Sequence, residues 1–346
     1  MLAFLISLIF SVASFFYKKS KVLLVIVFVL MWLLFGFNFW NADYPMYQRL
    51  YNVPIDELVF FKFEGGYCFL MYFFKALDLN FQQFLISISG IILLLVFRFF
   101  FVFSHFPALL AVCFFWFFFP FEYVILRNFL AFAIVLQGLH CVLKNERHYK
   151  LKFIFFVILA STIHISSIFY LIFLLAFREK ELKIKTISLI VVCLLLLVSI
   201  SHHFIFYILS LYSKEKVLFY ATGFPLFFLY SSLLIINLIL VFYIFKSVNC
   251  TQIEEGKRNN ILILNCNILM LFLIVVFYEL GVFVRILFNI SIVNAVFIIN
   301  ILFVNNSKIK LKLAYFCYLL ILFFIFIFLV KEITLFPLFK NNFLLN

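Results

Sequence analysis

Apolar runs of about 20 residues recur from end to end of this 346-residue chain, and they decide its fold class. A helix of that length crosses a bilayer and satisfies its own backbone hydrogen bonds there. Composition agrees, because 68% of the residues are hydrophobic and 12% are charged, which is far from the balance of a soluble domain. The sequence therefore predicts an all-α polytopic membrane protein, with residues 1–346 forming a single integral membrane domain.

Short basic loops separate the apolar runs and predict which side of the membrane each loop occupies. Five Lys/Arg clusters all fall inside if basic loops stay on the cytoplasmic side. The net charge of +13 then reflects topology, and we exclude nucleic acid as a partner. The ten predicted spans are 2–17, 22–40, 82–104, 107–121, 124–143, 186–201, 224–246, 260–279, 282–304 and 313–331.

The segment 153–177 has basic clusters on both sides, so one span would place one cluster outside. Polar residues at 161–167 interrupt the segment at its centre. We therefore predict a broken-helix hairpin with His164 near its tip at the outer side, which gives about 10–12 transmembrane helices in all. The alternative is one long span with an unfavourable charge placement.

This topology places two longer polar segments outside, 41–66 as a first outer loop and 203–222 as a second. It also brings five ionisable residues to or near the same face. Ionisable groups are costly in a bilayer, so they indicate a site for a polar or charged ligand at the outer leaflet. The five residues are Asp43, Glu64, Arg127, His164 and Arg285.

The first outer loop offers carboxylates and aromatic rings. Tyr44, Tyr47 and Tyr51 follow Asp43 at a helical spacing that would stack the three rings on one face, a surface suited to sugar rings. Tyrosines at the headgroup level beside a solvated Asp43 are the alternative. Glu64 precedes a Gly pair that permits positive φ and close backbone approach, and it could act as a base or sit exposed in a plain turn.

The remaining candidates suit phosphate recognition. Arg127 begins a span, where its guanidinium can bind phosphate in bidentate fashion, or can snorkel to the headgroups and pair with Glu122. His164 could donate to a phosphate or exchange a proton, or be a hydrogen-bonded packing residue. Arg285 is either a second phosphate ligand or the partner of Glu279 in an ion pair.

The sequence predicts neither a metal site nor a cofactor. The seven cysteines form no CxxC pair and are typical packing residues, while His202-His203 has no third ligand at a supporting spacing. P-loop, HExxH, GxSxG and Rossmann motifs are absent from the sequence. This argues against ATP-driven transport and against familiar soluble hydrolase chemistry.

Four short motifs, in order, resemble the EpsG family. They are Asp43-Tyr44-x-x-Tyr47, Glu64-Gly65-Gly66-Tyr67, Arg127-Asn128-x-x-Ala131 and Ala160-x-x-x-His164-x-Ser166-Ser167, and Phe81 before a long span lies between the second and the third. The family comprises bacterial membrane proteins of exopolysaccharide, capsule and O-antigen clusters, regarded as Wzy-type polymerases. The resemblance covers roughly residues 40–180. This chain has Arg127-Asn128 where the family usually has Arg-Gln, so an amide is kept.

The resemblance implies a glycosyl transfer at the outer face of the bacterial inner membrane. A growing glycan would move from undecaprenyl diphosphate to a new lipid-linked repeat unit, without nucleotide or metal. The implied partners are the undecaprenyl-diphosphate-linked oligosaccharide, membrane lipid, a chain-length regulator and a flippase. The implied catalytic residues are Glu64, His164 and Asp43, and the implied substrate-binding residues are Arg127, Asn128, Arg285, Tyr44, Tyr47, Tyr67 and Ser166.

Three alternatives stay open at this point. A flippase of lipid-linked oligosaccharide would place charges along the bilayer centre and often show a repeat, whereas these charges gather at one face. A membrane acyltransferase would use His164 as base and would need an acid or an Arg pair on the cytoplasmic half, where the sequence has only the lysines that determine topology. An O-antigen ligase would share the lipid diphosphate donor, and only the resemblance favours the polymerase over it.

Overall fold

The computed structural model describes residues 2–54, 64–178, 180–182, 224–247, 254–304 and 309–344, and these ranges are helical with no β-strand. Six helices within them are long and apolar enough to cross a membrane. The predicted fold class is confirmed. The six are Phe81–Phe103, Leu126–Leu143, Pro225–Lys246, Gly256–Phe277, Gly281–Val304 and Ile309–Phe328.

Each of these six helices coincides with a predicted span to within a few residues. Three further predicted spans, 2–17, 22–40 and 107–121, are apolar helices of fewer than 18 residues. The tenth, 186–201, and the predicted second outer loop at 203–222 lie outside the described residues.

The described chain forms two compact units, and each is treated by itself. The first unit spans 1–171 and 308–346. Its helices are α1 (Leu2–Phe16), α2 (Lys21–Gly36), α3 (Tyr44–Asn52), α4 (Gly65–Ala76), α5 (Phe81–Phe103), α6 (Pro107–Phe117), α7 (Phe119–Glu122), α8 (Leu126–Leu143) and α9 (Tyr149–Ile163), followed late in the chain by α14 (Ile309–Phe323) and α15 (Leu335–Lys340).

Helix α8 is the central helix of the first unit. All its residues except Arg127 and Ile134 are buried. Its partner α9 approaches closely at Gly138, where an added Cβ would lie 3.0 Å from the Phe153 ring and 3.2 Å from Cβ of Phe156. Small residues at helix contacts are the usual means of close packing in membrane bundles, because water drives no association there.

The predicted break at His164 is confirmed. Helix α9 ends at Ile163, His164 has extended backbone with φ −148° and ψ 114°, and a 3₁₀ helix runs over Ile165–Leu175. Polar side chains support the end of α9, since the hydroxyls of Ser161 and Thr162 donate to the carbonyls of Ile158 and Leu159. Such hydroxyl bonds to preceding carbonyls are known to weaken or bend helices.

The second unit spans 172–307 and contains α10 (Phe224–Lys246), α11 (Glu254–Leu269), α12 (Leu273–Glu279) and α13 (Val284–Val304). Asn237 of α10, Asn267 of α11 and Asn294 of α13 join these helices through a closed ring of amide hydrogen bonds of 2.8–3.2 Å. All three are at most 2% exposed. In an apolar core a satisfied amide ring holds three helices in one register.

Candidate active site

The candidate site assembles around the carboxylate of Glu64 in the first unit. Glu64 directly precedes α4, and its carboxylate reaches two basic residues from other elements. Arg127, at the second position of α8, donates through Nη1 to Oε2 of Glu64. Nδ1 of His164 lies 3.1 Å from Oε1. One carboxylate therefore positions an arginine and a histidine that lie 63 and 100 residues further along the chain.

Burial makes this arrangement strong. The side chains of Glu64, His164 and Arg127 are 13%, 17% and 20% exposed. Charges removed from water to this extent attract one another more strongly than at the surface, and losing one partner leaves a costly buried charge. The three groups are therefore held in fixed positions before any ligand arrives.

Two tyrosines flank the arginine. The Arg127 guanidinium carbon lies 5.6 Å from the ring centre of Tyr47 and 5.9 Å from that of Tyr67, distances typical of cation–π contacts. The two rings are 6.2 Å apart. We refer to Glu64, Arg127, His164, Tyr47 and Tyr67 as the Glu64 cluster.

Two buried donors in the cluster have no acceptor among the described residues. They are Nε of Arg127 and the hydroxyl of Tyr67, whose side chain is 1% exposed. Buried donors without acceptors are rare in folded proteins, and they indicate a bound water or ligand that supplies oxygen. Phosphate and sugar oxygens are acceptors of the required kind.

Gly66 brings the carboxylate to the histidine. An added Cβ at Gly66 would lie 2.1 Å from Oγ1 of Thr162 and 3.1 Å from its carbonyl carbon, so only glycine lets the start of α4 approach the end of α9. Of the two uses predicted for the Gly pair, close approach is the one the described backbone adopts, because none of the described glycines has positive φ.

Replacing Gly66 by alanine is therefore expected to separate Glu64 from His164 and to destabilise the fold by about 1–3 kcal/mol through overpacking. Gly65→Ala is the matched control, because nothing lies within 4 Å of a Cβ at that neighbouring position. Yield of monodisperse protein in detergent and activity in cells are the measurements. Equal behaviour of the two variants would contradict this reading of Gly66.

The three tyrosines predicted to share one helix face have different surroundings: two pack within the fold and one belongs to the Glu64 cluster. Tyr44, Tyr47 and Tyr51 are all buried on one side of α3, as their spacing indicates. Tyr44 donates to Oε1 of Gln82 at 3.1 Å, and its ring packs on Phe81. Tyr51 donates to the Leu79 carbonyl and packs on Phe84, so of the three rings only Tyr47 is described beside Arg127.

The other predicted residues occupy varied positions. Asp43 is half-buried one turn before Tyr47, and its carbonyl accepts the Tyr47 backbone N–H. Asn128 is buried beside Arg127 in α8, while Ser166 is half-buried two residues after His164. Arg285 is half-buried at the second position of α13, in the second unit. The roles predicted for these four residues stay predictions.

Sequence reasoning assigned Glu64, Arg127 and His164 separate tasks and missed that they form one hydrogen-bonded group. Glu122 was an alternative partner for Arg127, but the carboxylate described beside Arg127 is that of Glu64, and Glu122 is fully buried at the end of α7. The signal available in the sequence was the Gly65-Gly66 pair after Glu64, since glycine permits a close approach of the backbone to a neighbouring element. Among the described residues, no group of three or more His, Cys, Asp or Glu side chains is placed to hold a metal.

Fold and site together define a multi-pass membrane protein with a buried acid–base cluster at the start of α8 in its first unit. The chain belongs to the EpsG family, whose model matches residues 21–343, nearly the whole sequence. The match extends the resemblance, noted above for residues 40–180, into the C-terminal half. Membership is consistent with a Wzy-type polysaccharide polymerase. No curated protein and no solved structure matches the chain.

Proposed function

We propose that this protein polymerises lipid-linked oligosaccharide repeat units, moving the growing glycan from undecaprenyl diphosphate to a new lipid-linked repeat. The observation that carries the proposal is the Glu64 carboxylate shared by Arg127 and His164. The reaction needs a base for a hydroxyl and a cation for a departing diphosphate. In the Glu64 cluster, one carboxylate positions both a candidate base, His164, and a candidate cation, Arg127.

The bond changes are those of a glycosyl transfer. An acceptor hydroxyl oxygen forms a bond to the anomeric carbon of the donor glycan, while the bond from that carbon to the diphosphate oxygen breaks. The hydroxyl proton passes to a base, and undecaprenyl diphosphate departs with the bonding electrons. Negative charge therefore grows on the diphosphate as the hydroxyl loses its proton. The site must accept that proton and stabilise the charge on the diphosphate.

His164 is the proposed base, positioned by Glu64. With Nδ1 held 3.1 Å from Oε1 of the carboxylate, Nε2 of the imidazole becomes the nitrogen that can accept a proton. A buried carboxylate also stabilises the imidazolium formed after transfer. This is the general logic by which an acid orients a histidine base.

Arg127 is the proposed ligand of the diphosphate. Its guanidinium keeps Nη1 on Glu64, while Nε has no acceptor among the described residues. A phosphate oxygen would satisfy that donor, and the nearby Tyr67 hydroxyl could donate to a second oxygen. Charge-assisted bonds of this kind are among the strongest that a protein makes to phosphate.

The proposal includes further substrate contacts. Asp43 and Tyr47 lie one helical turn apart, which suits contact with the acceptor sugar. Arg285 is proposed as a second diphosphate ligand, and Tyr44, Asn128 and Ser166 as further contacts. We place the reaction at the periplasmic face of the bacterial inner membrane, with a flippase and a chain-length regulator as partners.

Deletion and restoration of the gene tests the proposed reaction. Loss of a long polysaccharide ladder, with a single repeat unit still attached to its acceptor, is the result expected of a polymerase. The measurement is a gel of surface polysaccharide from the deletion strain, the restored strain and a strain restored with Glu332→Gln. Glu332 is an exposed acid in the first unit outside the cluster, so this variant should restore the full ladder.

Other gel patterns would contradict the proposal. Loss of the single-unit band as well would indicate a flippase or a ligase, because the repeat would then fail to reach its acceptor. An unchanged ladder in the deletion strain would exclude polymerisation and direct attention to acyl modification of the glycan.

A further inference from the structure

A second polar site lies at the opposite end of α8 from Arg127. A cavity of about 530 Å³ opens where the last third of α5, the end of α8 and the start of α9 meet. We refer to it as the Arg98 cleft. Its lining includes Arg98, Gln137, Glu146, Leu151, Lys152 and Phe155. The Glu64 cluster contributes none of its residues to this lining, so the cleft is a different site.

Arg98 is an unusual residue for this position. It lies on the membrane-spanning helix α5, five residues before the end at Phe103, or about 7.5 Å along the axis at 1.5 Å per residue. Its side chain is exposed, and among the described residues it has neither a hydrogen-bond partner nor a carboxylate at ion-pair distance. A permanent cation at this depth of a bilayer requires an anion or the headgroup region itself.

Gln137 supplies an independent observation. The residue lines the cleft and is 6% exposed. Its Nε2 donates to the carbonyls of Leu95 and Ala133, whereas Oε1 has no donor among the described residues. A buried amide oxygen without a donor is an incomplete site, and a hydroxyl or ammonium group of a ligand would complete it.

The charged residues that line the Arg98 cleft carry a net positive charge. Lys152 binds Glu146 at 2.6 Å, and this bond holds the pKa of Glu146 below its ordinary value, so the pair is ionised and nearly neutral in sum. His140 lies 4.0 Å from Glu146 and adds no negative charge. Arg98 is therefore the uncompensated charge facing the cavity, and the group that it attracts is an anion.

The apolar walls indicate what carries the anion. Leu151 and Phe155 are 65% and 62% exposed on α9, and in a membrane protein such side chains lie against lipid chains. An inorganic ion would make no use of these walls. We propose that the Arg98 cleft binds a phospholipid, with the phosphate on Arg98, a headgroup donor on Gln137 and an acyl chain along α9.

The test measures retention of lipid by the full chain purified in a neutral detergent. Phosphatidylglycerol is the probe, and native mass spectrometry with thermal melting gives the readout. The variants are Arg98→Gln and, as a second removal of rim charge, Lys152→Gln. Lys144→Gln is the matched control, because Lys144 is an exposed basic residue at the same end of α8 that is not among the cleft-lining residues.

We expect at least a tenfold loss of bound lipid in Arg98→Gln, a smaller loss in Lys152→Gln and none in Lys144→Gln. Diacylglycerol with the same chains should not stabilise the protein. Equal retention by Arg98→Gln and Lys144→Gln would overturn the proposal. So would equal stabilisation by diacylglycerol, or by inorganic phosphate alone. Because the readout is binding, the result does not depend on the proposed polymerase reaction.

Discussion

Glutamine in place of Glu64 is expected to lower chain extension by about 100-fold or more, the effect of removing a group on which acid–base catalysis depends. The amide keeps the size of the carboxylate but loses the charge that Arg127 and His164 share. Its NH₂ group cannot accept from either neighbour, so one of the two basic groups loses its partner. The measurement is the polysaccharide ladder, with membrane abundance of the variant checked beside it.

The conservative variant separates a positioning role from mere structural support. Glu64→Asp retains the charge but shortens the side chain by one methylene, so it reaches one of its two partners at a time. We expect Glu64→Asp to fold at normal abundance and to give a short ladder, because the shorter carboxylate positions the base and the guanidinium less well. Normal ladders from both variants would show that Glu64 has no part in the reaction.

Local physical rules were enough to predict most of the fold. A 23-residue apolar run such as 82–104 has few alternatives to a membrane helix, because its backbone N–H and C=O groups must hydrogen-bond to one another in the bilayer. The break at His164 was also predictable, since Ser161, Thr162 and His164 compete with the helical hydrogen bonds over a short stretch. In both cases the cause and the structure lie within a few residues of each other.

The organisation of the site was not predictable in the same way. The bond between Glu64 and Arg127 joins residues 63 apart, and the contact with His164 spans 100. Such pairing depends on how α4, α8 and α9 pack, and the helical periodicity of the sequence does not indicate which helices contact one another. Without it, each charged residue could be interpreted only as an isolated group at a membrane face, which is why Glu122 was a reasonable partner for Arg127.

Alanine in place of Arg127 should abolish the long ladder, and lysine should not restore it. Removing the guanidinium leaves Glu64 buried without its ionic partner, and in comparable buried pairs this costs about 3–5 kcal/mol. Lysine keeps the charge, but its three donors share one nitrogen, so it cannot reproduce the separate positions of Nη1 on the carboxylate and Nε toward a phosphate oxygen. Arg147→Ala, at an exposed arginine in the loop between α8 and α9, is the control and should leave the ladder intact.

The double variant Glu64→Gln with Arg127→Ala distinguishes a shared task from two separate ones. If the two residues act as one unit, the double variant loses no more extension than the worse single variant, because the unit is already inactive. It should also be more abundant than Arg127→Ala alone, since no unpaired charge stays buried. Losses that multiply would show independent roles. A normal ladder from Arg127→Ala at normal abundance would contradict the proposal that Arg127 binds the diphosphate.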